Sequence, residues 1–366
     1  MKKVKLIDVC GPKQWPTIST EQLLTHGYPV YGANGKIGYF STYNHEIPTL
    51  LITCRGATCG NINISEAKSY VNGNAMCLDN LCDNVDLKYL YYQLVNYDFA
   101  NVISGSAQPQ ITREGLAKVW ITLCPIEEQK EIADRLDKIS DMIAKRKEQL
   151  SKLDQLVKSR FIEMFGNLVI GDKINENKHK IGEIASVTKL AGFEFTKYIQ
   201  YKEQGDIIML RGLNCKKGHL VLDDIKWIDK ETSDLLPRSK LYYGDILMTY
   251  AGTIGDVAMV DADNKYHLAP NVAKITLTDK KAYNPVFLIH LFMYTNDYIM
   301  TFASVVAQAS INMEKIRNFE YYFPSAEQQH KFATFVEQVD KSKFEIQQSI
   351  DKLETLKKSL MQQYFG

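Results

Sequence analysis

Nothing in these 366 residues approaches the run of about eighteen apolar side chains that a membrane-spanning helix needs. An excess of charge of one sign is missing too: 44 Lys and Arg stand against 43 Asp and Glu, a formal net charge of +1. A chain that holds nucleic acid by charge alone carries a basic surplus, because phosphate neutralisation supplies its affinity. Here the balance holds piece by piece, with ten basic against nine acidic residues over 1–124 and nineteen of each over 167–323. Any basic surface is therefore local or completed by a partner. Cysteine is scarce and odd in number, seven in all, which suits a reducing compartment and speaks against a disulfide framework. The opening MKKVKLIDVCG is basic, but Asp8 interrupts the apolar stretch that a secretory signal requires. The expectation is a cytoplasmic protein with no membrane contact.

Motifs for chemistry are absent as well. GANGKIG (Gly32 to Gly38) lacks the spacing and the Ser/Thr of a phosphate loop, and no H-E-x-x-H, G-x-S-x-G or strand-to-helix G-x-G-x-x-G occurs. Seven scattered histidines propose no metal cluster. Cys54-x4-Cys59 and Cys77-x4-Cys82 have a spacing that zinc could use, yet they also suit small apolar strand residues. NPVF (Asn284 to Phe287) approaches the N-P-P-[YF] element of adenine methyltransferases, but Val286 replaces the second proline and no cofactor motif precedes it. Asn followed by Pro before an apolar run is a helix cap. No catalytic residue and no metal ligand is expected.

What is present is one plan written twice. PIEEQKEIADRL begins at Pro125 and PSAEQQHKFATFV at Pro324. With a one-residue gap after Gln129 and Gln328, an offset of 200 places Ile132 on Phe332, Leu153 on Leu353, Lys158-Ser159 on Lys358-Ser359 and Phe165-Gly166 on Phe365-Gly366. Upstream, SAQPQIT (Ser106 to Thr112) falls on VAQASIN (Val306 to Asn312). At an offset of 195, LITCRGATCG (Leu51 to Gly60) faces ILMTYAGTIG (Ile246 to Gly255), so Thr249 and Ile254 stand where the first copy has Cys54 and Cys59. Four landmarks in one order make a tandem repeat, and the missing cysteines argue against zinc at Cys54 and Cys59.

Each copy closes on a long amphipathic helix. From Glu127 to Met164 there is no Gly or Pro, and Ile132, Leu136, Ile139, Ile143, Leu150, Leu153 and Val157 fall in steps of four and three, with Arg146 in the missing place. The second copy gives Phe332, Val336, Val339, Ile346, Ile350, Leu353 and Leu360, with Lys343 at one polar seam position. These are heptad seams of a coiled coil. Neither helix buries its stripe alone, so the economical arrangement is an antiparallel pair with a block at each end. The blocks themselves alternate short β-rich runs with Gly/Asn turns and carry one helical run each, Leu87 to Val95 and Val286 to Tyr294. The fold class expected is α+β: blocks 1–124 and 167–323, spacer helices 125–166 and 324–366.

Two β-rich blocks, each closed by Q-x-x-I and a P-x-x-E-Q helix, resemble the specificity subunit of type I restriction-modification systems. The duplicated LCPIEEQKEIADRLDKI and FPSAEQQHKFATFVEQVDKS, with the glycine turns Gly56–Gly60 and Gly252–Gly255, carry the resemblance. It implies two target recognition domains, each reading one half of a split sequence in double-stranded DNA. It also implies DNA methyltransferase (modification) subunits docked on the helices, bringing S-adenosylmethionine to methylate adenine. Restriction/translocase subunits using ATP and Mg would join for cleavage, and this chain itself would be non-catalytic. The alternatives are the recognition subunit of a related two-component restriction enzyme, or a coiled-coil scaffold that binds no DNA. Base readout favours Arg on guanine and Asn or Gln on adenine, which selects Asn34, Lys36, Arg55 and Gln108 in block one and Arg211, Asn214, Lys216, Tyr250 and Gln308 in block two.

Overall fold

A computed structural model of the chain describes residues 2–105, 108–169, 177–304 and 309–366. Contacts divide it into two units: Met1–Glu148 with Ile346–Gly366, and Gln149–Glu345. The two long helices, Ile126–Phe165 and Ala326–Phe365, are 40 residues each, or about 60 Å of rod. Each gives one part to unit 1 and the other to unit 2, so the division cuts through both spacer helices instead of setting them apart as 125–166 and 324–366.

In unit 1 a four-stranded antiparallel sheet has the order Gly11–Gln14, Ala75–Asp79, Leu50–Thr53, Ile62–Ile64. Unit 2 repeats it with Ala185–Lys189, Val272–Leu277, Ile246–Thr249 and Val257–Met259. Both central strands, LLIT and ILMT, are buried along their whole length. Their residues alternate between faces, as the pleat requires. Leu50 and Ile52 face the helical layer with Tyr89 and Leu94, whereas Leu51 joins Tyr31 and Val71 of a second sheet. In unit 2 Ile246 and Met248 face Phe287 and Phe292, and Leu247 meets Ile208 and Leu210. The second sheet contains the same parallel pairing in each unit, Val30 with Tyr70 and Ile208 with Tyr266, inside otherwise antiparallel neighbours.

The helical runs read from sequence are present as Leu87–Val95 and Pro285–Tyr294, capped by Asp86 and Asn284, whose carboxylate and amide oxygens each accept two backbone N–H groups. NPVF is thus a capped helix start. The long helices run antiparallel within each unit. Arg135 donates to the Tyr364 hydroxyl and Lys147 pairs with Glu354 at 2.9 Å in unit 1; Lys343 pairs with Asp154 at 2.6 Å in unit 2. Along the seam Ile132, Leu136, Ile139, Ile143, Val336, Val339 and Ile350 are buried, while Leu150, Leu153, Ile346, Leu353 and Leu360 are half-buried. Two helices alone cannot enclose a side chain, and burial is completed where a sheet-bearing layer also covers the stripe. Among the described residues no helix is long and apolar enough to cross a membrane.

The structure moves two registers of the repeat. The amide of Gln129 is fully buried: Nε2 donates to the carbonyls of Cys124 and Asn84, and Oε1 accepts the Asp86 N–H. Gln329, not Gln328, makes the same three bonds, to Pro324, Ala282 and Asn284. The offset is therefore 200 with no gap, and Pro125 lies opposite Ser325. At the glycine turn, Gly60 and Gly255 both donate to the threonine that ends the central strand, Thr53 and Thr249. Thr53 thus matches Thr249, Cys54 matches Tyr250 rather than Thr249, and the second turn is one residue shorter.

Candidate nucleic-acid interface

Three segments converge at the end of the central strand in unit 1. Thr53 ends Leu50–Thr53, and its hydroxyl donates to the carbonyl of Ala33 in the hairpin turn between Tyr28–Gly32 and Gly35–Phe40. The chain then turns through Gly56, whose φ of +87° favours glycine while nothing lies within 4 Å of where a Cβ would stand. The glycine there serves the backbone angle and leaves the turn open. Gly56 N–H donates to the Pro109 carbonyl, Ile111 N–H to Cys54, and Arg55 bridges Gln110. The Thr58 hydroxyl donates to Asn34 Oδ1 at 2.6 Å. Asn34, Arg55 and Gln108 are thereby carried by three loops tied to one another, and all three are exposed.

Unit 2 rebuilds this frame. Gly252 has φ +85° and open space around it; Ile311 N–H donates to Tyr250, and Ala251 bridges Ser310 as Arg55 bridges Gln110. The Thr249 hydroxyl donates to the Thr253 carbonyl inside its own turn, where Thr53 reaches across to the hairpin at Ala33. The tie between the glycine turn and the segment after it is repeated, the tie to the hairpin is not, and the side chains differ.

The individual candidates divide. Arg55 has no ion-pair partner among the described residues and stands free at the turn. Lys36 sits 3.6 Å from Glu66 and 4.5 Å above the Tyr39 ring, so part of its charge is already answered. Arg211 is half-buried and donates to the Asp224 carboxylate at 2.8 Å and to its carbonyl at 3.0 Å. Asn214 is fully buried; its side chain accepts from Arg211 N–H and donates to the carbonyls of Val221 and Asp224, so it shapes the loop and offers nothing to a ligand. Tyr250 is half-buried against the core of unit 2, with Lys189 5.5 Å over its ring. Lys216 is exposed on a hairpin whose residues Lys217, Gly218 and His219 line a cleft with Glu337 and Asp340, and Tyr250 is not among the lining residues. Gln308 lies outside the described residues.

Sequence reasoning missed Thr58 and Gln110, which join the loops, and Lys217, exposed beside Lys216. The K-K-G in CKKGH was the available signal for Lys217. The two threonines that tie strand to turn carry no signal of their own, because their partners are backbone carbonyls.

Comparison with known proteins agrees with this architecture. The profile of the type I restriction modification DNA specificity domain matches residues 1–155 and again 175–357. The chain is 24% identical over 313 residues to the type I restriction enzyme EcoBI specificity subunit of Escherichia coli, covering 77% of this chain and 66% of that one, just under two thirds of its length. It is 23% identical to a putative type I specificity subunit of Haemophilus influenzae, covering 85% and 80%. The solved S subunit of the type I restriction-modification system of M. genitalium superposes with a TM-score of 0.65 at 15% identity, covering 100% of this chain and 96% of that one, which shows a shared fold. Another solved chain, from work on complex assembly and conformational transition of the type I R-M system, gives 0.58 at 14% identity. With both repeats matched, the chain belongs to the type I restriction-modification DNA specificity family.

Proposed function

We propose that this chain is the address-reading subunit of a type I restriction-modification complex and that it reads a two-part target in double-stranded DNA. The loop cluster around Gly56 takes one half-site and the cluster around Gly252 the other. The observation that carries this is the repeated turn: two loop groups built on the same strand end, with the same glycine φ and the same pairing to the segments at Gln110 and Ser310, bearing different side chains. A repeated scaffold with unlike contact residues suits two unlike base sequences.

Chemistry is assigned to partners. Modification subunits supply S-adenosylmethionine and methylate adenine, and restriction/translocase subunits supply the ATP- and magnesium-dependent steps. The near-zero net charge of this chain agrees with partners sharing the phosphate contacts. The test is a mobility shift of a duplex carrying the methylated target, with chain and modification subunits together. Scrambling either half should weaken binding; a shift indifferent to both halves would leave only a scaffold.

A further inference from the structure

Unit 1 gathers three ligating side chains that no spacing in the sequence announces. His45 comes from a loop, Cys77 and Asp79 from one face of the strand Ala75–Asp79, and their donor atoms all lie within 4.8 Å of one another. Cys77 is fully buried and His45 is 8% exposed.

Hydrogen bonds determine which nitrogen of His45 is available. Asn44 is held from both ends by Val71: its Oδ1 accepts the Val71 N–H at 2.8 Å and its Nδ2 donates to the Val71 carbonyl at 3.1 Å. The atom 2.6 Å from His45 Nδ1 is therefore an oxygen, and Nδ1 must be the donor. In a neutral ring Nε2 then presents a lone pair, and it stands 3.0 Å from Asp79 Oδ1. The other carboxylate oxygen is occupied by the Trp15 indole N–H at 3.0 Å. Two acceptors facing each other this closely call for a positive charge between them.

The second copy has a different residue at the thiol's place. Cys77 pairs with Leu51 across the sheet, and its counterpart pairing with Leu247 is Lys274. That buried ammonium donates to the carbonyls of Arg238 and Lys240 at 2.8 and 2.9 Å. Unit 2 has a cation built into the strand position where unit 1 has a thiol.

We propose that His45 Nε2, Cys77 Sγ and Asp79 Oδ1 form a site for a divalent ion of the zinc type, with its fourth position open to an adjoining cleft of about 840 Å³ lined by Trp15, Asn44, His45 and Asp79. One nitrogen, one sulfur and one oxygen donor suit zinc or cobalt and not magnesium or calcium, which prefer shells of oxygen. Asn44 on Nδ1 and Trp15 on the carboxylate are the outer partners that orient such ligands. Binding replaces the Cys77 thiol proton, which leaves to solvent, so thiolate, carboxylate and dication sum to zero charge. The ion would pin the loop at His45 to the sheet. This assignment is independent of how DNA is read.

Titration of the chelator-treated full chain with cobalt chloride tests it. The expected result is one equivalent bound, with a sulfur-to-cobalt charge-transfer band that zinc displaces. The band should vanish in Cys77→Ser and in His45→Gln while circular dichroism is retained, and persist in Cys54→Ser and Cys82→Ser. A folded chain showing no band has a proton, not a metal, between His45 and Asp79, and the proposal fails. A band that survives Cys77→Ser in a folded variant fails it equally.

Discussion

Unit 2 is cut from one continuous stretch, Gln149–Glu345, whereas unit 1 is assembled from Met1–Glu148 and the last 21 residues, Ile346–Gly366. Each sheet-bearing layer is completed by a helix end from the other repeat: Phe161 and Phe165 pack on Phe287 and Phe332 in unit 2, and Met361 and Phe365 join Tyr89 and Leu136 in unit 1. The repeat in sequence is thus not the unit of packing. Sequence duplicates a block and its own helix; packing pairs a block with the helix ends of both copies.

Removing 346–366 should separate the two units most. Unit 1 would lose Leu360, Met361, Tyr364 and Phe365 from its core, while unit 2 keeps every residue. Amide exchange on a chain ending at Glu345 should show the Leu50–Thr53 strand unprotected and Ile246–Thr249 still protected. Equal protection of both strands would mean unit 1 is self-sufficient.

Next in size is the aromatic junction of unit 2. Phe161 is 2% exposed and stacks or edges against four rings, where unit 1 places Met361. Phe161→Ala should cost about 3–5 kcal/mol, read as exchange of unit 2 strands at lower denaturant, and Phe161→Met should recover most of it.

The buried glutamines are alike in the two units. Gln129→Ala and Gln329→Ala each strand one N–H and two carbonyls, an expected loss of about 2–3 kcal/mol in the unit concerned. Urea melts should show closely similar losses; a cost on one side only would show that the shared geometry is not shared energetics.

Acid separates the units more gently. Burial pushes His290 down from 6.5 to about 3, and unit 1 has Tyr92 at the matching place on its helix. The unfolded imidazole takes up a proton that the folded one refuses, so this contribution is intact above about pH 6.5 and falls as pH drops toward 3. The slope is at most one proton, about 1.4 kcal/mol per pH unit. His290→Tyr should flatten the acid limb of unit 2 stability and leave unit 1 unchanged; an unaltered slope would remove His290 from the account.

The long helices and the tandem plan were legible because a seam repeating over 40 residues and a duplicated order of landmarks both lie along the chain. Register was less so. The prolines at 125 and 324 looked like the landmark, but the conformation is anchored by the glutamine amide, whose partners at 84 and 86 are distant in sequence. The burial of Asn214 is not legible, because an asparagine that back-bonds its own loop is indistinguishable in sequence from one that faces solvent. The His45, Cys77 and Asp79 group was invisible for the same reason as the Thr53 tie: only folding brings its members together.

The proposed reading of one half-site by each unit is checked by mapping methylated adenines in DNA modified by the assembled complex, with native chain and with Arg55→Ala. Arg55 is exposed on the unit 1 turn without an ion-pair partner among the described residues, so its loss should spare the fold. Degenerate bases are expected in one half-site, with the other half and the gap between them unchanged. Altered recognition in both halves, or an identical map, would contradict it.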